Sequence, residues 1–278
     1  MGLARANGRG VRPRPERASD LSTLVVVPTY NEADNLPALA EQILSLPQSV
    51  SLIVVDDASP DGTGKIADQL AAEHTGRLIP IHRKGKLGLG SAYVAGFKLA
   101  LERGAGEVIT MDADFSHHPR YIPDMMDKAA TFSLVIGSRY APGGRTEGAP
   151  FYRRMLSRGA NGFARAMLGL KARDATAGFR LYRREVLESI PLDSIFSSGY
   201  SFLIEMLYLV QIRGWRVGET PIVFHDRFAG KSKISQAEIV RALYTVSRLA
   251  FRRSRAWLSP ANALKPIQNK SGTADEHR

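Results

Sequence analysis

The sequence predicts an α/β fold in which a mostly parallel sheet is flanked by helices. Short runs rich in Val, Ile and Leu alternate with stretches of helical periodicity. Strands separated by single helices form βαβ units, whose strands run parallel. The chain has 278 residues, enough to bury the core of one large α/β domain. Ligands of such sheets bind where the strands end, so the residues that follow each predicted strand are the candidates for a functional site.

The N-terminal half shows the clearest alternation. Leu36, Leu39 and Ile43 form a helical stripe that Pro47 closes, and the turn at residues 59–62 leads into a second helix. The predicted strands are residues 23–27, 51–55, 77–83, 107–111, 133–137 and 215–224. The predicted helices are residues 36–44, a segment carrying Ile66, Leu70 and Ala71, and residues 89–101, 153–168, 200–213 and 235–253.

The last predicted helix is amphipathic. One face carries Ile239, Leu243, Val246 and Ala250, and the basic residues elsewhere are Arg241, Arg248, Arg252 and Arg253, with Trp257 just beyond. This pattern is typical of a helix lying in a bilayer interface with its arginines toward anionic lipid. A helix packed on the protein's own core has the same pattern. Both interpretations stay open.

The composition favours a polyanionic partner. Lys and Arg number 38 against 27 Asp and Glu, for a formal net charge of +11, which suits nucleic acid, an anionic membrane surface or a phosphorylated substrate. The absence of Cys excludes disulfides and thiol chemistry. No apolar run is long enough to cross a bilayer, and residues 1–20 lack the apolar stretch of a signal peptide. We therefore expect a cytoplasmic protein that meets a membrane from outside.

Two carboxylates follow the fourth predicted strand. Asp112 and Asp114 stand one residue apart, and such a pair can share Mg²⁺ or Mn²⁺ with a diphosphate, because these hard cations prefer oxygen ligands. A solvated turn is the alternative, since Asp is common in loops. The neighbouring His117 and His118 precede Pro119; we expect surface or helix-entry roles for them rather than metal ligation.

A second acidic pair follows the second strand. Asp56 and Asp57 would repel each other unless hydrogen-bond donors, such as those of a nucleotide base or ribose, offset the charge. For one of the two, capping a turn with Ser59 is an equal alternative. Residues 28–32 (PTYNE) offer an aromatic face beside an acid, suited to a base. Their alternative is a helix entry capped by Asn31.

A basic segment follows the last predicted strand. Arg227 and Lys233 flank small residues, and such a loop could close its cations over a diphosphate. Without the other motifs, a solvated charged loop is the favoured interpretation of this segment.

Six motifs together resemble the dolichyl- and polyprenyl-phosphate mannose synthases, inverting members of glycosyltransferase family 2 with the GT-A (Rossmann-like) fold. In chain order they read VVVPTYNE, VVDDASPDGT, MDADFSHHP, IGSRY, DATAGFRLYRREVL and DRFAGKSK. The resemblance extends over roughly residues 24–235, which is nearly all of the chain expected to be ordered. Composition, periodicity and the resemblance together divide the chain into a disordered basic arm (1–20), a GT-A domain (21–234), an amphipathic interfacial helix (235–258) and a flexible tail (259–278).

The resemblance also implies site residues. The implied GDP-mannose contacts are Pro28, Tyr30, Glu32, Val55 and Asp57, and the residues along the diphosphate are Asp112, Ala113 and Asp114. Asp112 and Asp114 would bind the metal, Asp114 most firmly. Arg139, Arg227 and Lys233 would contact phosphates, and Arg153 would help to hold the acceptor phosphate. The catalytic set is then Asp114, Arg227 and Lys233.

Two positions depart from the family pattern. Ser116 stands where many archaeal relatives have a metal-binding Gln, so one coordination position would fall to water. Ala177 replaces the Ser often found in the D-x-T-S-G-F stretch, which weakens any role for that side chain.

The expected reaction is mannosyl transfer from GDP-mannose to polyprenyl phosphate, with Mg²⁺ or Mn²⁺. An anionic membrane surface is an expected partner, a membrane-anchoring protein a further candidate, and nucleic acid is not expected. Two alternatives remain: a family 2 transferase using another sugar nucleotide, such as UDP-glucose, or a saccharide acceptor, and a nucleic-acid-binding module. The module would lack any recognition motif, and acidic strand ends repel phosphates unless a metal intervenes.

Overall fold

The computed structural model describes residues 22–225 and 236–258. Within them the strands are β1 (Thr23–Thr29), β2 (Val50–Asp56), β3 (Leu78–His82), β4 (Glu107–Thr110), β5 (Leu134–Ser138), β6 (Arg145–Glu147), β7 (Arg180–Arg183), β8 (Val217–Pro221) and β9 (Val223–His225). The helices are α1 (Leu36–Leu44), α2 (Thr63–Glu73), α3 (Leu89–Glu102), α4 (Ile122–Ala129), α5 (Phe151–Leu168), α6 (Arg184–Glu188), α7 (Tyr200–Ile212) and α8 (Gln236–Leu258).

The central sheet has seven strands in the order β3-β2-β1-β4-β7-β5-β8. The pairs β1–β2, β1–β4, β2–β3 and β5–β8 are parallel, which confirms the mostly parallel sheet. Strand β7 runs antiparallel between β4 and β5. Its first residue therefore lies at the edge where the parallel strands end. A small second sheet pairs β6 with β9 in parallel.

Alternating side chains of the strands feed two cores, one on each face of the sheet. On β1, Leu24 and Val26 pack with Phe97 of α3, whereas Val25 and Val27 pack with Leu36 of α1. All four strand residues are buried, as expected for a parallel strand covered by helices on both faces. The covered sheet holds the strand ends in a fixed arrangement.

The structure adds elements that the sequence did not predict, namely β6, β7, α4 and α6. The single strand predicted at 215–224 is wrong: β8 and β9 are separate strands in different sheets. The other predicted strands and helices are confirmed, with bounds shifted by a few residues. Among the described helices, none combines the length and the hydropathy that a bilayer crossing requires.

Candidate active site

The strand ends predicted to form a site do lie together. Pro28 pairs with Val55 and Thr29 with Asp56 in the β1–β2 register. The Thr29 hydroxyl donates to Asp56 at 3.0 Å, and the Asp57 amide donates to the Thr29 carbonyl at 3.0 Å. The five implied nucleotide contacts therefore lie at the ends of two adjacent strands: Pro28 and Val55 are the last but one residues of β1 and β2, and the other three come just after them.

The two neighbouring aspartates have different roles. Asp56 accepts hydrogen bonds from the Ser59 amide at 3.0 Å and the Ser59 hydroxyl at 2.5 Å, so the alternative in which it caps a turn is confirmed. Asp57 accepts from the Arg83 guanidinium at 2.6 Å and from the amides of Leu87 and Gly88. These donors offset the repulsion between the adjacent carboxylates, and they fasten the loop 83–88 at the start of α3.

The segment after β1 projects an aromatic ring. Asn31 has a φ of 61°, and its amide donates to the Ser59 hydroxyl at 3.0 Å. The Tyr30 ring is 36% exposed, with the Lys86 ammonium 3.8 Å from its centroid. The alternative in which Asn31 caps a helix is wrong, since α1 begins at Leu36. A partly exposed aromatic ring therefore stands directly after β1, the neighbour of β2 in the sheet.

The Asp112–Asp114 loop folds back on itself. The Tyr93 hydroxyl donates to Asp112 at 3.2 Å, and the Ser116 amide donates to Asp114 at 3.1 Å. Phe115 has a φ of 58°, a left-handed conformation that a residue of its size seldom adopts. Such strain is characteristic of functional loops, where the surrounding structure imposes it.

His117 is a site residue that the sequence analysis misjudged. It is 2% exposed, so the expected surface role is wrong, and its ring lies 5.4 Å from Phe179 and 5.5 Å from Phe224. Burial lowers the pKa of His117, although the charges of Asp112 and Asp114 act in the opposite direction. His118 opens a short 3₁₀ turn by accepting from the Arg120 amide, which confirms a helix-entry role.

The protonation of His117 follows from its partner. Its Nδ1 lies 3.3 Å from the Asp112 backbone nitrogen, which can only donate. Nδ1 must therefore accept, and the neutral ring carries its proton on Nε2. His117 supports the first carboxylate of the pair through the backbone.

The oxygen donors at this loop fit a divalent cation that is shared with a diphosphate. Asp112 and Asp114 supply carboxylates, and Mg²⁺ or Mn²⁺ commonly binds one or two of these and completes its shell with phosphate and water. The buried Ser116 hydroxyl has no hydrogen-bond partner among the described residues. The described ranges contain no group of three or more His, Cys, Asp or Glu side chains that could hold a metal ion. A cation at this loop would therefore need phosphate and water oxygens as further ligands.

Arg139 is held by a buried carboxylate. Its backbone amide, Nε and one terminal nitrogen donate to Asp174 at 3.0, 2.8 and 2.7 Å, and the terminal nitrogen also reaches the Thr176 hydroxyl at 2.9 Å. Burial alone would lower the pKa of the Arg139 guanidinium, but Asp174 raises it. Burial alone would raise the pKa of Asp174, but Arg139 lowers it. The guanidinium is therefore a permanent, fixed cation.

A cavity of about 550 Å³ joins these groups to an apolar groove. Its polar end includes Asp112, Ser116, His117, Arg139 and Arg153. Its apolar end is formed by α5, α7 and α8, through Met155, Leu156, Phe163, Ile204, Leu243 and Val246. One ligand with a phosphate and a hydrocarbon chain would match both ends.

Not every implied site residue can be placed. Ala113 is buried in the loop between the two carboxylates, and Arg153 lies on α5 beside the cavity. Arg227 and Lys233 lie outside the described residues, so their roles stay predictions. Phe224, which packs on His117 and Arg139, escaped the sequence analysis because nothing local distinguishes it from a core residue.

Comparison with known proteins identifies the family. The family model for glycosyl transferase family 2 matches residues 24–190. The polyprenol monophosphomannose synthase of Mycolicibacterium smegmatis is 43% identical over 249 residues, covering 89% of this chain and 94% of that protein. The undecaprenyl-phosphate mannosyltransferase of Micrococcus luteus is 42% identical over 228 residues, covering 82% of this chain and 93% of that protein.

A solved structure shows the same fold. The glucosyl-3-phosphoglycerate synthase of Mycobacterium tuberculosis, in complex with Mn²⁺, UDP and glucosyl-3-phosphoglycerate, superposes with a TM-score of 0.62 at 20% identity, covering 84% of this chain and 81% of that chain. The predicted GT-A fold is thereby confirmed. With its motifs, its strand-end carboxylates and these relatives, the chain belongs to glycosyltransferase family 2.

Proposed function

We propose that this enzyme transfers mannose from GDP-mannose to a polyprenyl monophosphate and yields a β-linked mannosyl phosphate lipid. The observation that carries the proposal is the cavity with a cationic end at Arg139 and Arg153 and an apolar end between α5 and α8. Two relatives named for polyprenyl-phosphate mannosylation, matched over most of the chain, support it.

The acid-base character of the cavity suits a phosphate acceptor. A phosphate monoester has a second pKa of about 6 and is already a dianion near neutrality, whereas a sugar hydroxyl needs a general base. Asp112 is the one carboxylate among the described residues lining the cavity. His117 is neutral with Nδ1 engaged, so its Nε2 carries a proton and cannot accept another. With Asp112 assigned to the cation and the diphosphate, the described lining offers cations for an anion and no further base for a hydroxyl.

The donor would bind across the ends of β1, β2 and β4. The guanine base would stack on Tyr30 and approach Asp57, whose carboxylate has a remaining acceptor position besides its three present bonds. The diphosphate would lie along Asp112–Asp114, where a divalent cation, when bound, would neutralise the charge that grows on the leaving GDP. Arg227 and Lys233 are proposed to add positive charge there.

The acceptor would enter from the opposite side. Its phosphate would lie between Arg139 and Arg153, and its oxygen would attack the anomeric carbon as GDP leaves. The one carboxylate of the described lining, Asp112, is assigned here to the cation and the diphosphate. We therefore expect a single displacement, which inverts the anomeric configuration.

A direct assay tests this function. The protein is incubated with labelled GDP-mannose, Mg²⁺ or Mn²⁺, and a polyprenyl phosphate, and the product is extracted into organic solvent. Label in the organic phase and a β linkage by NMR are expected. Transfer from UDP-glucose but not from GDP-mannose would instead favour the other sugar-nucleotide alternative. An α-linked product would refute the single displacement.

We also propose that α5 and α8 dock the enzyme on an anionic membrane. The exposed apolar side chains of α5 are Phe151, Tyr152, Met155, Leu156, Phe163 and Met167, and those of α8 are Val240, Leu243, Tyr244 and Phe251. These two helices carry most of the large apolar side chains exposed in the described part of the chain. They also flank the cavity mouth, where the acceptor would leave the bilayer.

The structure changes the expected contribution of α8. Val246 is buried while Leu243 is 46% exposed, so the residues assigned to one face divide between core and surface. Packing on the protein's own core holds for Val246, and the membrane interpretation stays a proposal for the exposed side chains. The guanidinium carbons of Arg248 and Arg252 lie 4.1 and 5.4 Å from the Phe196 ring centroid. These two arginines pack on the protein, so the membrane proposal shifts toward α5.

Flotation with anionic liposomes tests this docking. Replacing both Phe151 and Met155 by Ser should lower the partition constant for the liposomes about a hundredfold or more, because burying such side chains contributes roughly 1.5–3 kcal/mol each and about 1.4 kcal/mol corresponds to a factor of ten. The matched control is Ile212→Ser, which removes an exposed apolar side chain elsewhere and should float like the wild type. Equal flotation of all three proteins would exclude α5 as the docking helix.

A further inference from the structure

Helix α5 is buried along only part of its length. Its buried residues are Asn161, Ala164 and Leu168, all in the second half. The first half, residues 151–160, lies over the cavity and supplies Arg153, Met155 and Leu156 to its lining. Asn161, 3% exposed, is therefore the first buried point of the helix beyond the part that covers the cavity.

The Asn161 amide bridges α5 to the segment before β7. Its Oδ1 accepts from the Ala175 backbone amide at 2.7 Å, and its Nδ2 donates to the Thr176 hydroxyl at 3.1 Å and to the Ser157 carbonyl at 2.9 Å. The amide orientation is fixed because the Ala175 N–H can only donate, so it must face the oxygen. Both protons of Nδ2 and one lone pair of Oδ1 are thus engaged.

The Thr176 hydroxyl connects Asn161 to Arg139 in the candidate active site. It accepts from Nδ2 of Asn161 and from a terminal nitrogen of Arg139 at 2.9 Å. It donates to Asp174 at 3.4 Å, the carboxylate that holds the same guanidinium. A hydroxyl has one proton and two lone pairs, so all its capacity is used. The chain of contacts Asn161–Thr176–Arg139 therefore links α5 to the cationic end of the cavity.

We infer that Asn161 is a positioning residue for the acceptor phosphate: it fixes the separation between Arg153 on α5 and Arg139 after β5. The inference rests on the proposed function, in which both arginines hold that phosphate. A second contact, the Tyr140 hydroxyl to the Ser157 hydroxyl at 2.8 Å, joins the same two elements nearer the cavity. Asn161 is the buried contact that reaches Arg139.

Steady-state kinetics of full-length variants test the inference, with prenyl phosphate and GDP-mannose varied separately. Asn161→Ala should raise the KM for prenyl phosphate about tenfold or more, because small displacements of positioning groups cost up to 10²-fold. The dissociation constant for GDP, measured by calorimetry, should change less than about twofold, since the implied nucleotide contacts lie at the ends of β1 and β2 and not on α5. Thr176→Val, which keeps the shape but removes the hydroxyl, should reproduce the acceptor defect, and Thr176→Ser should restore near-normal values.

A matched control separates positioning from stability. Leu168→Ala removes a buried side chain from the same helix and should lower the melting temperature without raising the acceptor KM. The double variant Asn161→Ala/Thr176→Val should be little worse than either single variant, because both break one chain of contacts. If Asn161→Ala does not fold, the two Thr176 variants decide the question.

The outcomes distinguish this inference from the proposed function. A wild-type protein that transfers no mannose to prenyl phosphate would overturn both. Normal wild-type transfer, with an unchanged acceptor KM in Asn161→Ala and Thr176→Val or an equal rise in Leu168→Ala, would overturn the positioning role alone. Additive effects in the double variant would do the same.

Discussion

Replacing Asp174 by Asn should destabilise the fold by about 3 kcal/mol, near the lower end of the range for breaking a buried ion pair. The Asp174 side chain is 0% exposed and that of Arg139 14%, so the guanidinium would keep only slight hydration after its partner is neutralised. Asn has one acceptor oxygen where Asp174 receives three bonds from Arg139. In the place of the oxygen that accepts from the Arg139 backbone amide and Nε, the Asn oxygen can keep those two bonds. The bond from the terminal nitrogen is lost, and the lower end of the range applies.

Urea denaturation of the wild type and the variant measures this difference. The control is Asp193→Asn, which breaks the exposed pair with Lys98, whose side chains are 82% and 44% exposed; it should cost less than about 1 kcal/mol. A loss below about 1 kcal/mol for Asp174→Asn would refute the assignment of Arg139 as a buried cation that depends on this carboxylate.

The pH dependence gives an independent check with a definite sign. Arg139 lowers the pKa of Asp174 below its ordinary value of 3.8. A depressed carboxyl pKa contributes stability that is present above the unfolded pKa and lost as pH falls through the folded one. The gap between wild type and Asp174→Asn should therefore stay constant from neutrality to about pH 5 and narrow only below about pH 4. A gap that closes above pH 5 would contradict this.

Three further predictions concern the active site and the core. Asp114→Ala should abolish transfer while leaving the melting temperature nearly unchanged; activity within tenfold of wild type at saturating metal would exclude Asp114 as the principal ligand. Lys233→Ala should lower kcat more than GDP affinity, and equal losses would indicate static docking instead. Gly96→Ala should cost about 1–3 kcal/mol, because its Cβ would lie 2.3 Å from Val26, whereas Gly159→Ala, with open space around it, should leave stability unchanged or raise it.

Much of the site was predictable because it follows strands with an unbroken apolar pattern. The residues after β1, β2 and β4 reach one edge by the rule for parallel sheets, and the pairing of β1 with β2 and β4 places Tyr30, Asp57 and Asp112 at that edge. The motif conjunction added Arg139 and Arg153, which line one cavity. Periodicity and motif order were sufficient to predict where these residues lie, because the position of each one is set by the strand or helix that carries or precedes it.

The remainder depends on contacts between distant segments, which local patterns do not contain. Strand β7 begins with Arg180, a residue that looks solvated in sequence but is 0% exposed. Its guanidinium is satisfied by the carbonyls of Ala175, Ala177 and Leu203. In the same way, the partner of Arg139 lies 35 positions away at Asp174. Buried charges of this kind become interpretable only when their partners are known.

The place of β7 in the sheet also shapes how the chain folds during synthesis. Strands β1 to β4 form a contiguous parallel block, complete once residue 110 has emerged, whereas β5 pairs only with β7 and β8 in the described sheet. Until residues 180–183 leave the ribosome, β4 has an open edge and the apolar β5 has no neighbour. Unpaired edges and exposed apolar strands promote aggregation. Nascent chains whose emerged part ends between residues 138 and 180 should therefore depend on chaperones. Once β7 has emerged, the chain can close the sheet by inserting it between two strands already made.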